Sequence, residues 1–211
     1  MTPLELAQTT QNKIVIIVKI SAPFASFKHS YSREYAQSYS VPPPATIYGC
    51  LLSLVGETNR TYHRGVKIAI AMASIPKTST VLRKFRRLKE ADLNAKENSI
   101  PDFQNVLCGL EIIACVDSSE EKNNLESRIE EALNQPQTIE RFGGLSLGES
   151  RDLIDDIQIL SQIPESLQWL VKDPKGKLKL PYWVDYLGSK DTQWQKFTWG
   201  EFSQQAFCQI T

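Results

Sequence analysis

Residues 41–56 read VPPPATIYGCLLSLVG, and the reading of this stretch decides the fold. Pro42, Pro43 and Pro44 hold the backbone extended, and each removes an N–H donor. The last suits the first turn of a helix, where that donor has no partner to lose. Ile47, Leu51, Leu54 and Val55 then recur at helical spacing as one apolar stripe, and Gly56 is a natural stop. Gly49 costs such a helix about 0.5–1 kcal/mol against alanine, which suggests a backbone or ligand approaching closely there. Taken alone, the stretch reads better as a proline-punctuated core helix.

On the N-terminal side, Lys13 to Ile20 (KIVIIVKI) is apolar on both faces, as a strand covered on both sides would be. Ser21 to Ser40 has no clear period and reads as a loop. It mixes Phe24, Phe27, Tyr31, Tyr35 and Tyr39 with Lys28, His29 and Arg33. On the C-terminal side, a turn over Thr58 to Gly65 leads to a second strand, Val66 to Ser74, with alternating faces. Next come Arg83, Lys84, Arg86, Arg87 and Lys89 around Phe85, and then a polar stretch, Asp92 to Ser99. We read these as two arms and a flexible tip projecting from the body, with a short amphipathic helix over Val81 to Leu93 as the alternative.

Val106 to Asp117 is a third strand. Ser118 and Glu121 match a capping box, ahead of a helix with the stripe Leu125, Ile129 and Leu133 that Pro136 closes. After a turn, Leu153 to Leu160 alternates acidic and apolar residues, as an edge strand does. The order strand–helix–strand–insert–strand–helix–strand predicts an α+β, ferredoxin-like βαββαβ domain, with both helices on one face. It spans residues 13–160, with the insert at about 78–105. Residues 161–211 carry all four tryptophans and the turn Asp173-Pro174-Lys175-Gly176, and read as a small C-terminal β lobe.

Composition bounds the function. The chain has 211 residues, with 24 basic and 24 acidic side chains, so no global field draws in nucleic acid and any such binding must be local. The sequence shows no membrane span and no secretory start. Cys50, Cys108, Cys115 and Cys208 lack metal-binding spacing and read as reduced core residues of a cytoplasmic protein. No cofactor or metal is expected, and Asp152, Asp155 and Asp156 read as a solvated edge.

The stretch Arg141 to Ile154, RFGGLSLGESRDLI, is the other informative one. Backbone amides bared by Gly143, Gly144 and Gly148 can cradle phosphate, with Ser146 and Ser150 as hydroxyl donors and Arg141 and Arg151 as flanking charge. It leads into a strand, unlike a P-loop or dinucleotide fingerprint, and a plain turn is the simpler reading.

PPPATIYGCL and LSLGESRDLI together resemble the Cas five family, the RAMP subunits of class 1, type I CRISPR complexes. Thr46, Gly49, Leu147, Gly148, Ser150 and Arg151 occupy that family's motif positions. The resemblance implies a non-catalytic, RRM-like body that binds the 5′ handle of the crRNA. The insert would be its thumb, reaching toward the Cascade backbone subunit, with the large subunit and target DNA near the PAM as further contacts. RNA contacts are then expected from Lys28, His29, Arg33, Thr46, Tyr48, Gly49, the basic arm (Arg83, Lys84, Phe85, Arg86, Arg87) and the glycine turn. Some relatives cleave precursor RNA, and His29 and His63 are the side chains able to exchange protons near neutrality. A stand-alone RNA-recognition domain and a protein-binding scaffold complete the alternatives. The first lacks the aromatic strand signature it would need.

Overall fold

The structure, a computed structural model, describes residues 15–32, 35–86, 89–185 and 191–211, without the side chains of residues 85 and 86. The expectations that rest on Lys13, Arg33, Arg87 and the side chains of Phe85 and Arg86 lie outside it.

Helix α1 (Pro44–Leu54) starts where the prolines predict, with Pro44 in its first turn and Pro43 as an extended N-cap. Its end is a Schellman motif: Glu57 N–H donates to Leu52 O and Gly56 N–H to Ser53 O. Gly56 holds φ +68, and a Cβ there would stand 2.3 Å from Glu140 O. Ile47, Tyr48 and Leu51 are fully buried. Burial of each such side chain contributes about 1.5–3 kcal/mol.

The helix lies on a sheet that comprises ten strands among the described residues. Its body is β1 (Ile16–Ala25), β3 (Lys67–Met72), β5 (Ser99–Asp117) and β6 (Asp156–Leu160), in the spatial order β6-β1-β5-β3, every neighbour antiparallel. Helix α2 (Leu125–Asn134) packs on the same face as α1: Ile47, Leu51, Leu125 and Ile129 share one core with Val18, Ile20, Ile70 and Ile112. The opposite face, with Ile17, Ala69, Ala71, Ile113 and Cys115, is covered by Trp169, Ala206 and Phe207. Both faces are therefore covered, as KIVIIVKI requires, and β6 is the outer strand of this body.

β4 (Lys77–Arg86) pairs with β5 from Lys77↔Cys108 to Arg86↔Ser99, forming a projecting hairpin. The helical alternative over Val81 to Leu93 is thereby removed. Asn98 organises the tip. It is buried, accepts from Lys89 and Glu90 N–H, and donates to Glu90 O and Asp92 O. Residues 161–211 add β7 (Gln168–Lys172), β8 (Leu178–Trp183), β9 (Gln193–Gly200) and β10 (Cys208–Gln209). β7 and β10 both pair with β3, so these strands continue the one sheet.

Three local expectations are corrected. β1 runs on to Ala25, and the loop after it holds a short strand, β2 (Tyr35–Ala36), parallel to β5. Ser118 and Glu121 do not form the capping box. Asn124 is the N-cap, while Ser118 exchanges hydrogen bonds with Glu126, 2.6 Å and 3.3 Å. Asp152 is not solvated: it is buried and accepts from Ser26 N–H at 2.8 Å. No described helix is long and apolar enough to cross a membrane.

Candidate nucleic-acid interface

The hairpin carries its cations unequally. Lys84 is exposed, but Arg83 is mostly covered and pairs with Asp102 at 2.8 Å and Glu149 at 3.5 Å. Alternation along β4 and β5 places Arg83, Asp102 and Gln104 on one face of the hairpin, because directly paired residues share a side. That face meets the glycine turn. Gln104 Nε2 donates to Glu149 Oε1 at 2.7 Å, and Arg151 donates to Gln104 Oε1 while pairing with Glu149 at 2.9 Å.

The turn itself is anchored from inside. Leu147 is fully buried, and its N–H donates to Asp152 O. Burial pushes the Asp152 carboxyl upward, against the lowering effect of the Ser26 and Glu149 N–H donors. Gly148 has φ +104, and a Cβ there would stand 2.4 Å from Ser26 O. The close approach that demands a glycine is thus to the protein's own backbone just after its first strand. Gly143, at φ +80, faces open space, and Gly144 lies against the Leu153 side chain. Arg141, Gly143, Gly144, Ser150 and Arg151 are exposed, and Ser146 is half-buried in a bridge to Leu153.

The aromatic loop joins the same region. Tyr35 Oη donates to Asn105 Oδ1 at 2.7 Å, and its ring stacks at 6.3 Å from Phe103, so the loop is fastened to the hairpin. Lys28 is exposed beside Ser38. The His29 ring packs 3.7 Å from Tyr39 and 4.9 Å from Tyr31, and burial lowers its pKa.

The helix motif divides. Thr46 and Gly49 are half-exposed, and nothing lies within 4 Å of a Cβ built on Gly49. Tyr48 is fully buried, its hydroxyl donates to Arg60 O at 2.6 Å, and burial raises its pKa to about 12. It is a core residue with no surface for RNA.

His63 is likewise enclosed. Nδ1 lies 2.8 Å from Glu121 Oε2 and Nε2 lies 2.8 Å from Arg128 Nη1. An arginine N–H can only donate, so Nε2 accepts and the ring proton sits on Nδ1. Both nitrogens are committed and the side chain has no exposed surface, so His63 cannot reach a phosphodiester. Among the described residues no group of three or more His, Cys, Asp or Glu side chains could hold a metal ion. Cys50, Cys115 and Cys208 are buried free thiols pushed up to about 12 by burial.

Sequence reasoning missed Asp102, Gln104 and Glu149, the residues that join hairpin to turn. Each is an ordinary polar residue locally, and only pairing register and long-range contact distinguish it.

Comparison with known proteins follows the same lines. The profile of a family described as CRISPR-associated protein (Cas_Cas5) matches residues 15–157. A protein of Myxococcus xanthus (strain DK1622), CRISPR-associated protein Cas5, is 37% identical over 188 residues, which is 86% of this chain and 88% of its own. A chain of a solved CRISPR RNA-guided surveillance complex superposes with a TM-score of 0.64 at 9% identity, over 88% of this chain and 90% of its own. A second structure, described as the crystal structure of a Cas protein, gives 0.52 at 9% identity, over 89% and 94%. At such identities the two structures speak for the fold alone.

Proposed function

Because the chain belongs to the CRISPR-associated Cas5 family, we propose that it is a non-catalytic RNA-binding subunit of an RNA-guided surveillance complex. In this reading it holds the 5′ handle of the guide RNA and caps the backbone filament of a type I complex in the cytoplasm. The hairpin reaches the neighbouring backbone subunit, and other surfaces meet the large subunit and target DNA near the PAM. The strand order β6-β1-β5-β3, with both helices on one face, supports reading the body as ferredoxin-like.

One observation carries the proposal. The hairpin, the glycine turn and the aromatic loop are far apart in sequence, yet Glu149, Gln104 and Tyr35 fasten them to one another. Exposed Arg151 sits at that junction, Lys84 stands next to Arg83 in the same strand, and Arg141 precedes the glycine turn, so each joined segment carries an exposed cation for a phosphate backbone. Enclosure of His63 supports the non-catalytic part, since it leaves His29 as the histidine near the surface.

The test is binding of repeat-derived RNA from the protein's own locus to the purified chain, followed by fluorescence anisotropy at several salt concentrations. We expect affinity that falls with salt and that exceeds the affinity for a scrambled RNA. Equal affinity for both, or none at low salt, would overturn the reading.

A further inference from the structure

The aromatic loop has a second wall opposite it. Between His29–Tyr31 and Ser38–Ser40 on one side, and β8 and β9 on the other, lies a groove of about 530 Å³. Lys177, Lys179 and Trp194 form the far wall. Tyr31 is 69% exposed, and its ring is propped by His29, which is itself backed by Tyr39. Lys179 Nζ sits 5.3 Å from the centre of the Trp194 ring, a cation–π contact that fixes where its charge is presented.

Lysines beside aromatic rings, with no carboxylate in the lining, mark this groove off from three others on the described surface. The one beside Trp183 holds Arg60 and Arg64 but also Asp185 and Asp191. The one beside Gly49 holds Arg60 and Arg141 with Glu57 and Glu140. The one at the hairpin holds Arg83, Lys84 and Lys96 without a carboxylate, but none of its lining residues is aromatic, and Arg83 is paired with Asp102 and Glu149. No carboxylate lines the Tyr31 groove among the described residues, while Lys177 and Lys179 are both exposed. Exposed ring faces beside uncompensated lysines suit a ligand that is flat, unsaturated and anionic at its edge, as a nucleotide is.

We propose that this groove is a second RNA subsite, taking one unpaired nucleotide of the guide, with its base on Tyr31 and its phosphates on Lys177 and Lys179. The inference rests on the RNA-binding reading and extends it to the C-terminal strands. Continuity favours a strand over a free nucleotide. The loop that forms one wall is tied to the hairpin through Tyr35–Asn105 and to the glycine turn through Ser26–Asp152. The groove wall is thus part of the same fastened unit as the junction. His29 acts as a positioning residue, holding the Tyr31 ring.

The experiment measures repeat-RNA binding to the full chain against salt for the wild type, Tyr31→Ala, Tyr31→Phe, the double variant Lys177→Ala/Lys179→Ala, and Lys84→Ala as a hairpin control. Tyr31→Ala is expected to weaken binding about tenfold with an unchanged salt slope, while Tyr31→Phe keeps wild-type affinity. The double lysine variant is expected to lower the log–log slope by about 1.4, two single-strand phosphate contacts at about 0.7 each. All these positions are exposed, and a melting curve for each variant excludes unfolding. Wild-type affinity and slope in the Tyr31 and lysine variants, with loss in Lys84→Ala, would overturn the subsite and leave the RNA-binding reading intact. A lysine effect without a Tyr31 effect would overturn the base position. No binding by the wild type would overturn both.

Discussion

Arg83 Nη1 lies 3.5 Å from Glu149 Oε2, a contact across 66 residues of sequence that joins the projecting hairpin to the glycine turn. Glu149 also takes Arg151 at 2.9 Å and the Gln104 amide at 2.7 Å. One carboxylate thus holds two arginines from different segments in fixed relative positions. It also means that a basic residue in the arm is structural, whereas its neighbour Lys84 keeps its charge for a partner.

Arg83→Ala and Lys84→Ala should therefore behave differently. Removing Arg83 leaves Asp102 without its cation, while Glu149 keeps Arg151, and should cost about 1–2 kcal/mol in denaturant unfolding, discounted for partial exposure. It should leave the salt slope of RNA binding nearly unchanged. Lys84→Ala should do the reverse, keeping stability while lowering the slope by about 0.7. Equal slope changes would place Arg83 on RNA.

Gly148→Val should damage the fold before it damages binding. Its Cβ would meet Ser26 O at 2.4 Å with φ at +104, so a loss of roughly 2–4 kcal/mol is expected. Gly143→Ala, with φ +80 but open space, should cost about 1–2 kcal/mol. Urea midpoints for the two variants check the ranking, and a harmless Gly148→Val would remove Ser26 as the reason for that glycine.

Glu126 gives the stability a pH dependence. Burial first, and then Asp117, Glu121 and Glu130, raise its carboxyl from 4.5 to about 7, although the Ser118 N–H pulls the other way. The folded chain holds this proton more tightly than the unfolded chain. The contribution is therefore complete below pH 4.5 and is lost as pH rises through about 7. Glu126→Gln keeps an acceptor for Ser118 without the charge. Its melting temperature should vary less between pH 5 and 8, with a gain of about 1–3 kcal/mol at the upper end. An unchanged slope would show that Glu126 is not responsible.

His63→Ala should destabilise the protein by roughly 1–3 kcal/mol, because it takes the Nδ1–H donor from the buried Glu121 carboxylate, while Arg128 keeps Glu57. His29→Ala should fold normally. With repeat RNA in EDTA, neither change should alter strand scission, since none is expected from the wild type. A specific cut that vanishes in His29→Ala would move the protein to the ribonuclease class.

Much of the body was legible because its signals are local. The prolines at 42–44, the stripe Ile47–Leu51–Leu54 and the left-handed Gly56 need only their neighbours to act. The two-sided apolar run of β1 likewise announced that both faces would be covered. Where a local signal had a stronger distant competitor, it misled. Ser118 and Glu121 have capping-box spacing, yet Ser118 bonds Glu126 and Glu121 turns to His63. Asp152 alternates like an edge residue but is drawn inward by the Ser26 amide.

What the sequence by itself determined is the set of elements, their order, and the two motifs that mark the family. Only the tertiary structure decided which polar residues are spent inside the protein and which remain for a partner. Tyr48, Arg83 and Gly148 look like ligand contacts in one dimension, and each is claimed by a carbonyl or carboxylate of its own chain. Those partners lie between 12 and 122 positions away (148 − 26 for Gly148 and Ser26), where local propensity has no reach and the packing of separate elements sets who meets whom.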